Sequence, residues 1–100
     1  MEQVEIFKAL SNKTRLQILC WLKEPEKNFP VEEFGPLCAT GVCVGSIQQK
    51  AGLTQSTISE YLTILLRANL VVATRSGQWT YYRRNEKAIK ALGVSIQQQL

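Results

Sequence analysis

Residues 44–69 read VGSIQQKAGLTQSTISEYLTILLRAN, and no other stretch of the chain constrains the fold so tightly. Val44 to Lys50 reads as a short helix, and Ala51-Gly52 as the turn that ends it. Thr54 can cap a longer helix over Gln55 to Arg67, because a short side-chain oxygen accepts the free N–H groups of a first turn. On that helix Ile58, Leu62, Leu65 and Leu66 fall on one face, and Ser56, Ser59, Glu60, Thr63 and Arg67 on the opposite arc. Asn69 follows the last turn, where Asn tolerates the left-handed conformation that closes a helix. A short helix, a Gly-containing turn and a longer helix with an apolar face and a polar arc make a helix-turn-helix.

Two β-rich runs follow, LVVATR and QWTYYRR, with Ser76-Gly77 between them. Glycine supplies the positive φ of a tight hairpin, so the pair reads as a wing. Upstream, Val4, Ile6, Phe7 and Leu10 give a first helix an apolar stripe. Ser11 or Asn12 can cap a second, Lys13 to Lys23, where Leu16, Ile18, Leu19, Trp21 and Leu22 make most sides apolar and predict a central core position. Pro25 stops it. The segment 25–42, with Pro25, Pro30 and Pro36, sustains no period and reads as a long loop, of a length that is usually functional or mobile. Asn85 caps a last helix whose stripe is Ile89, Leu92, Ile96 and Leu100.

These elements predict one mainly α domain with a β-hairpin wing, a homodimeric winged helix-turn-helix over 1–100. Its parts are the loop 25–42, the helix-turn-helix 44–67, the wing 70–84 and dimerisation helices 2–10 and 86–99. The stripe of the last helix needs a covering surface. A twofold mate, met through Val4, Phe7, Ile89, Leu92 and Ile96, would supply it.

Charge narrows the partner. From Lys50 onward the chain carries Lys50, Arg67, Arg75, Arg83, Arg84, Lys87 and Lys90 against only Glu60 and Glu86, while the first half is close to neutral. A basic half with interleaved aromatic residues suggests a polyanion, although a solvated basic surface reads the same way. The chain has no His, and all of its acids are Glu, none in a recognisable catalytic motif. Most acid–base and nucleophilic sites need such groups, so an enzyme is not expected. No apolar run is long enough to span a membrane, and no signal-peptide pattern is present, so a cytoplasmic location is expected.

The segment ALSNKTRLQILCWL resembles the "AL-x-(D/N)-x-TR-x-x-IL-x-L" stretch of the ArsR/SmtB family of bacterial repressors. AGLTQSTISEYLTILLRANLV is similar to that family's recognition region, and QWTYYRRNEKAI resembles its second wing strand and the start of its last helix. The resemblance implies a winged helix-turn-helix homodimer that binds double-stranded operator DNA and releases it when a metal or metalloid ion binds. The departures are Glu60 and Tyr61, where the family often has a basic residue or His, and Asn69 in place of Gly.

On this reading the DNA-binding residues are Lys50, Gln55, Ser56, Thr57, Ser59, Glu60, Thr63, Arg75, Gln78 and Arg83. The N-terminal end of a recognition helix reads base edges, and wing cations hold phosphates or enter the minor groove. Glu60 can accept a hydrogen bond from cytosine N4, or face solvent and repel phosphate.

Three cysteines remain. GVCVGSIQ resembles the family's arsenic-sensing "ELCVCDL" motif, with Cys43 on the first motif cysteine and Gly45 where the second belongs. Trivalent arsenic or antimony, As(III) or Sb(III), prefers about three soft thiolates. Cys38 and Cys43 are the candidate metalloid ligands, with Cys20 or a partner's thiol completing the set. Oxidation of Cys38 with Cys43 and the absence of any sensing role are the alternatives. Cys20, beside Leu19 and one turn from Leu16, also reads as a small buried hydrophobe. Zinc- and cobalt-sensing relatives use Asp and His on the last helix; this chain has neither, which excludes that site. A protein-interaction module built on the same fold is the remaining alternative function.

Overall fold

The structure, a computed structural model, describes residues 3–29 and 41–100. The elements run α1 (Gln3–Leu10), α2 (Lys13–Lys23), a one-turn α3 (Pro25–Asn28), β1 (Val42–Cys43), α4 (Val44–Ala51), α5 (Gln55–Arg67), β2 (Val71–Ser76), β3 (Trp79–Arg84) and α6 (Glu86–Gln99). This is a winged helix-turn-helix, mainly helical with a hairpin wing.

Side-chain caps start the helices where the short polar residues stand. Asn12 Oδ1 accepts the Arg15 amide at 3.0 Å, Thr54 Oγ1 that of Thr57 at 3.3 Å, and Asn85 Oδ1 that of Ala88 at 3.1 Å. The end of α5 is a Schellman motif. Asn69 sits at φ 63°, its amide donates to Leu66 O at 2.9 Å, and the Leu70 amide donates to Leu65 O at 3.0 Å. Leu65 and Leu70 are both buried, so the hydrophobic contact that accompanies this motif is in place. Asn85 then ties the base of the wing, through its amide to Leu70 O at 2.9 Å and its Nδ2 to Asn69 Oδ1 at 3.3 Å.

The core gathers Ile18, Leu19 and Leu22 of α2, Ile47 of α4, Ile58, Leu62 and Leu65 of α5, Val42 and Val71 of the sheet, and Leu70 beside it. Two expectations fail here. Leu66 does not join the core face of α5; it is exposed, because that face centres on the 58–62–65 line and Leu66 lies 100° further round. Helix α2 is also one-sided. Leu16 and Cys20, one turn apart, are exposed, so Cys20 is not the buried structural thiol its neighbours suggested.

The segment 25–42 is not loop throughout. Pro25 opens a helical turn, for which a first position without an N–H is well suited. Asn28 Nδ2 holds that turn by donating to Trp21 O at 3.3 Å and Glu24 O at 2.9 Å. Residues 30–40, Cys38 included, lie outside the described residues. At the far end Val42 and Cys43 pair antiparallel with Tyr82 and Tyr81, giving a three-stranded sheet in the order β1-β3-β2. Gly41 makes this possible. It sits at φ 121°, and a Cβ there would lie 2.3 Å from Tyr82 O, so only glycine lets the chain approach β3. The hairpin turn is Gly77-Gln78, one residue later than read from sequence, with Ser76 and Trp79 as its last pair. Gly77 at φ 62° followed by a residue of negative φ is the type II′ pattern.

Helix α6 has no buried residue. Ile89 and Leu92 pack against the core, whereas Val94, Ile96 and Leu100 are exposed. A hydrogen bond from Gln3 Nε2 of α1 to Ser95 Oγ ties it further.

Arg15 joins three helices. Its Nε donates to Ala9 O at 2.7 Å and its Nη2 to Lys8 O at 3.1 Å, closing the C-terminus of α1, and its guanidinium lies 5.3 Å from the ring centroid of Tyr61 on α5. Hydrogen bonds from a charged donor contribute about 1.5–3 kcal/mol, so Arg15→Ala should lower the unfolding free energy by roughly 2 kcal/mol in urea melts. Arg15→Lys should recover only part of this, since an ammonium cannot make the fork and the stack together. An Arg15→Ala chain as stable as wild type would contradict the clamp.

Arg84 pairs bidentately with Glu86, Nε to Oε2 at 2.9 Å and Nη2 to Oε1 at 2.6 Å. The Arg84 hydrogen bonds hold the Glu86 carboxyl below its ordinary value of 4.5, against a smaller opposing effect of desolvation; the Arg84 and Lys23 charges act in the same direction as the hydrogen bonds. A depressed carboxylate stabilises the fold above its unfolded pKa, and the contribution disappears as pH falls through the folded one. Glu86 is largely exposed, so the pair is worth about half a kcal/mol. Glu86→Gln should therefore melt below wild type at neutral pH, and the gap should close as pH falls below the ordinary value of 4.5 and through the lowered folded one. A gap that persists at the acid end would show that the ion pair is not its source.

Candidate nucleic-acid interface

Helix α5 is set by what it buries. With Ile58, Leu62 and Leu65 in the core and Tyr61 under Arg15, the arc of Gln55, Ser56, Ser59, Glu60 and Thr63 is turned outward, and all five are exposed. They are not equally free. Thr63 Oγ1 donates to Ser59 O at 2.9 Å within the helix. Thr57 is half-buried and belongs to the cap, its hydroxyl accepting from Thr54 Oγ1 at 2.9 Å. Ser56 Oγ lies 3.3 Å from the same Thr54 hydroxyl. Gln55, Ser59 and Glu60 make no side-chain hydrogen bond or ion pair among the described residues, so the arc's open hydrogen-bonding groups lie in its first turn and a half.

Helix α4 supports this arc through the left-handed Gly52, whose amide donates to Gln48 O at 2.9 Å. Lys50, grouped with the DNA-binding residues from sequence, has another engagement. Its Nζ lies 5.3 Å from the ring centroid of Trp21 and 5.9 Å from that of Phe29. The ammonium braces α4 against Trp21 of α2 and Phe29, the residue after α3, by cation–π attraction.

The wing carries Arg75, Gln78 and Arg83, all exposed. Arg75 Nε donates to Gly77 O at 3.1 Å, which braces the turn and leaves the terminal nitrogens outward. The register pairs Ser76 with Trp79 and Val72 with Arg83. Side chains alternate along a strand, so Arg83 and Trp79 share one face of the hairpin and Arg75 lies on the other. Arg84, the remaining wing cation, is neutralised by Glu86. Sequence reading missed Trp79, which is exposed, and Gly41, whose close approach to β3 has no local signature.

The thiols are separated by environment. Cys43 is the residue before α4, half-buried, with Sγ 3.3 Å from Ser46 Oγ. Cys20 is exposed on α2, and Cys38 lies outside the described residues. Among the described residues no three His, Cys, Asp or Glu side chains gather into a metal-holding group. At Gly45, where the resembling motif has its second cysteine, an added Cβ would meet nothing within 4 Å. No described helix is long and apolar enough to cross a membrane.

A supported, outward-facing helix beside a basic hairpin defines a DNA-binding transcriptional regulator of the winged-helix class. The family model described as "Bacterial regulatory protein, arsR family" matches residues 32–72. The chain is 56% identical to the uncharacterized HTH-type transcriptional regulator YbzH of Bacillus subtilis over 92% of both chains. It is 33% identical to the arsenical resistance operon repressor of the same organism, over 86% of this chain and 69% of that one. A solution structure of a homodimeric winged helix-turn-helix DNA-binding domain from Mycobacterium bovis superposes with a TM-score of 0.65 at 28% identity, covering 91% of this chain and 71% of that one. The chain belongs to the arsR family of bacterial regulatory proteins, which are regulators of transcription and not enzymes.

Proposed function

We propose that the chain is a cytoplasmic, homodimeric repressor that binds palindromic operator DNA and is released by chemistry at its thiols. The observation that carries the DNA half is the outward polar arc of α5 beside a wing whose Arg75 and Arg83 have no acidic partner among the described residues. Gln55, Ser56 and Ser59 meet base edges, Thr57 orients the capped first turn, and Thr63 lies further along the groove. Arg75, Gln78 and Arg83 meet the backbone. Glu60 stands among them as a carboxylate without an ion-pair partner among the described residues, and it can accept from cytosine N4. Lys50 contributes through its brace on α4.

The dimer half is supported by α6, whose Val94, Ile96 and Leu100 are exposed together with Val4 of α1. A twofold pair joined through Val4, Phe7, Ile89, Leu92 and Ile96 would set two recognition helices about 34 Å apart, one DNA turn, and would require a palindromic site. Gel-shift and anisotropy titrations on the chain's own upstream DNA test the reading. Ser56→Ala with Thr57→Ala should reduce preference for operator over random DNA. Arg75→Ala should weaken binding to both and lower the salt slope by about one. Equal affinity of wild type for operator and random DNA would overturn it.

The thiol half is supported by the position of Cys43 at the entrance to α4 and by the arsenical resistance operon repressor among the relatives. Trivalent arsenic or antimony would join Cys43 to Cys38, with the exposed Cys20 or a thiol of the second copy as third ligand. Such an ion shifts the DNA equilibrium only by its differential affinity for the two conformations. Under reducing conditions arsenite should release the DNA, Cys43→Ser and Cys38→Ser should abolish release at unchanged DNA affinity, and Gly45→Cys should lower the arsenite needed. Release by peroxide and not by arsenite would replace this with the second reading, in which Cys38 and Cys43 lose their thiol protons and two electrons to the peroxide and form a disulfide.

A further inference from the structure

Trp79 is 54% exposed, directly after the two-residue turn, in the outermost rung of the wing. Its strand neighbours are accounted for: Tyr81 is buried, and Tyr82 packs on the core. Trp79 is not part of the core. Its directly opposed cross-strand partner is Ser76, which offers little apolar surface, so that pair does not explain an indole here. Its surroundings favour a polyanion over a protein. Residues 71–84 contain Arg75, Arg83 and Arg84 and no acid, and Arg83 lies on the indole's own face about 13 Å further in, four residues along a strand.

We propose that Trp79 is a minor-groove reader at the wing tip, which selects A·T pairs flanking the segment that α5 contacts. This rests on the DNA-binding reading given above and names a specificity residue within it. The minor groove is only about 6 Å wide, too narrow for a helix but open to a flat ring presented edge-on from a hairpin tip. The indole brings two things to it. Its apolar face packs on deoxyribose, and its one N–H is a donor without acceptor capacity. A·T and T·A pairs show only acceptors in this groove, adenine N3 and thymine O2, whereas G·C adds the guanine N2 amino donor. A donor-only ring edge therefore fits A·T and meets a like donor at G·C. Arg83 on the same face would hold the adjoining backbone as the ring enters.

The test is an anisotropy titration of labelled duplexes carrying the chain's own upstream operator, with wild type, Trp79→Phe and Trp79→Ala. Flanking A·T pairs are changed singly to G·C and to inosine·C, which has the major-groove face of G·C but lacks the minor-groove amino group. Wild type should lose about tenfold in affinity at one G·C substitution and regain it with inosine·C. Trp79→Phe keeps the apolar face without the N–H, so it should bind the A·T operator nearly as well and no longer tell the flanks apart. Trp79→Ala should bind more weakly and equally indifferently. Far-UV circular dichroism matched to wild type confirms the fold, and Trp79→Phe decides alone if the alanine variant fails to fold. Wild-type discrimination retained by Trp79→Phe would overturn the proposal, as would wild type indifferent to the G·C change, and in both cases operator binding itself stands. If wild type prefers no operator over random DNA, the DNA-binding reading falls and Trp79's role falls with it.

Discussion

A recognition helix is useful only if its roll about its own axis is fixed, because a rotation of one residue, 100°, presents a different set of side chains. In α5 that roll is set from two sides. Ile58, Leu62 and Leu65 are withdrawn from water, each contributing about 2 kcal/mol by burial, and they define the inward line. Arg15 fixes the flank by stacking on Tyr61 while its Nε and Nη2 close the end of α1. The Schellman turn at Asn69 then sends the chain into β2, so the wing starts from a defined point relative to the helix. Loosening any of these leaves the polar arc intact as a sequence and undefined as a surface.

The same geometry sorts the positive charge. The chain's net charge of +4 suggests a broadly basic surface, yet several of the cations have internal tasks. Arg15 closes a helix end, Lys50 lies over Trp21 and Phe29, Arg84 is paired with Glu86, and Lys8 is 3.7 Å from Glu5. Arg75 and Arg83 differ: one braces a turn through a single nitrogen, and the other has no partner among the described residues. The hairpin thus keeps two of its three cations open, one on each of its faces, and a hairpin with a cation on each face can follow a groove between two backbones.

What the sequence discloses is local. The caps at Asn12, Thr54 and Asn85 and the left-handed Asn69 depend on one side chain and the next few backbone groups, so residue type and position suffice to find them. The helix-turn-helix and the wing follow from periods of 3.6 and 2 between such markers. The misreadings have a common cause. Leu66 and Leu16 are apolar residues beside apolar faces, and periodicity does not say how wide a face the neighbouring elements cover. Cys20 was misplaced for the same reason. Gly41 has its role only because β3, forty residues away, passes within 2.3 Å of where a Cβ would be. The contact of Lys50 with Trp21 and Phe29 is illegible in the sequence because the rings are distant along the chain and adjacent in space.

Cys43 stands at the junction of the wing-bearing sheet and the helix-turn-helix. It is the last residue of β1, paired in register with Tyr81, and the next residue begins α4. Tyr81 lies on the strand that ends in Trp79 and the wing turn, and α4 packs against α5. A bulky or charged group placed on this sulfur would disturb the edge of the sheet that bears the wing and the first turn of the helix that supports α5. Cys20, on the outer face of α2, has no such double connection. Of the two described thiols, Cys43 is the one whose position in the fold links the sheet that bears the wing to the helix that supports α5.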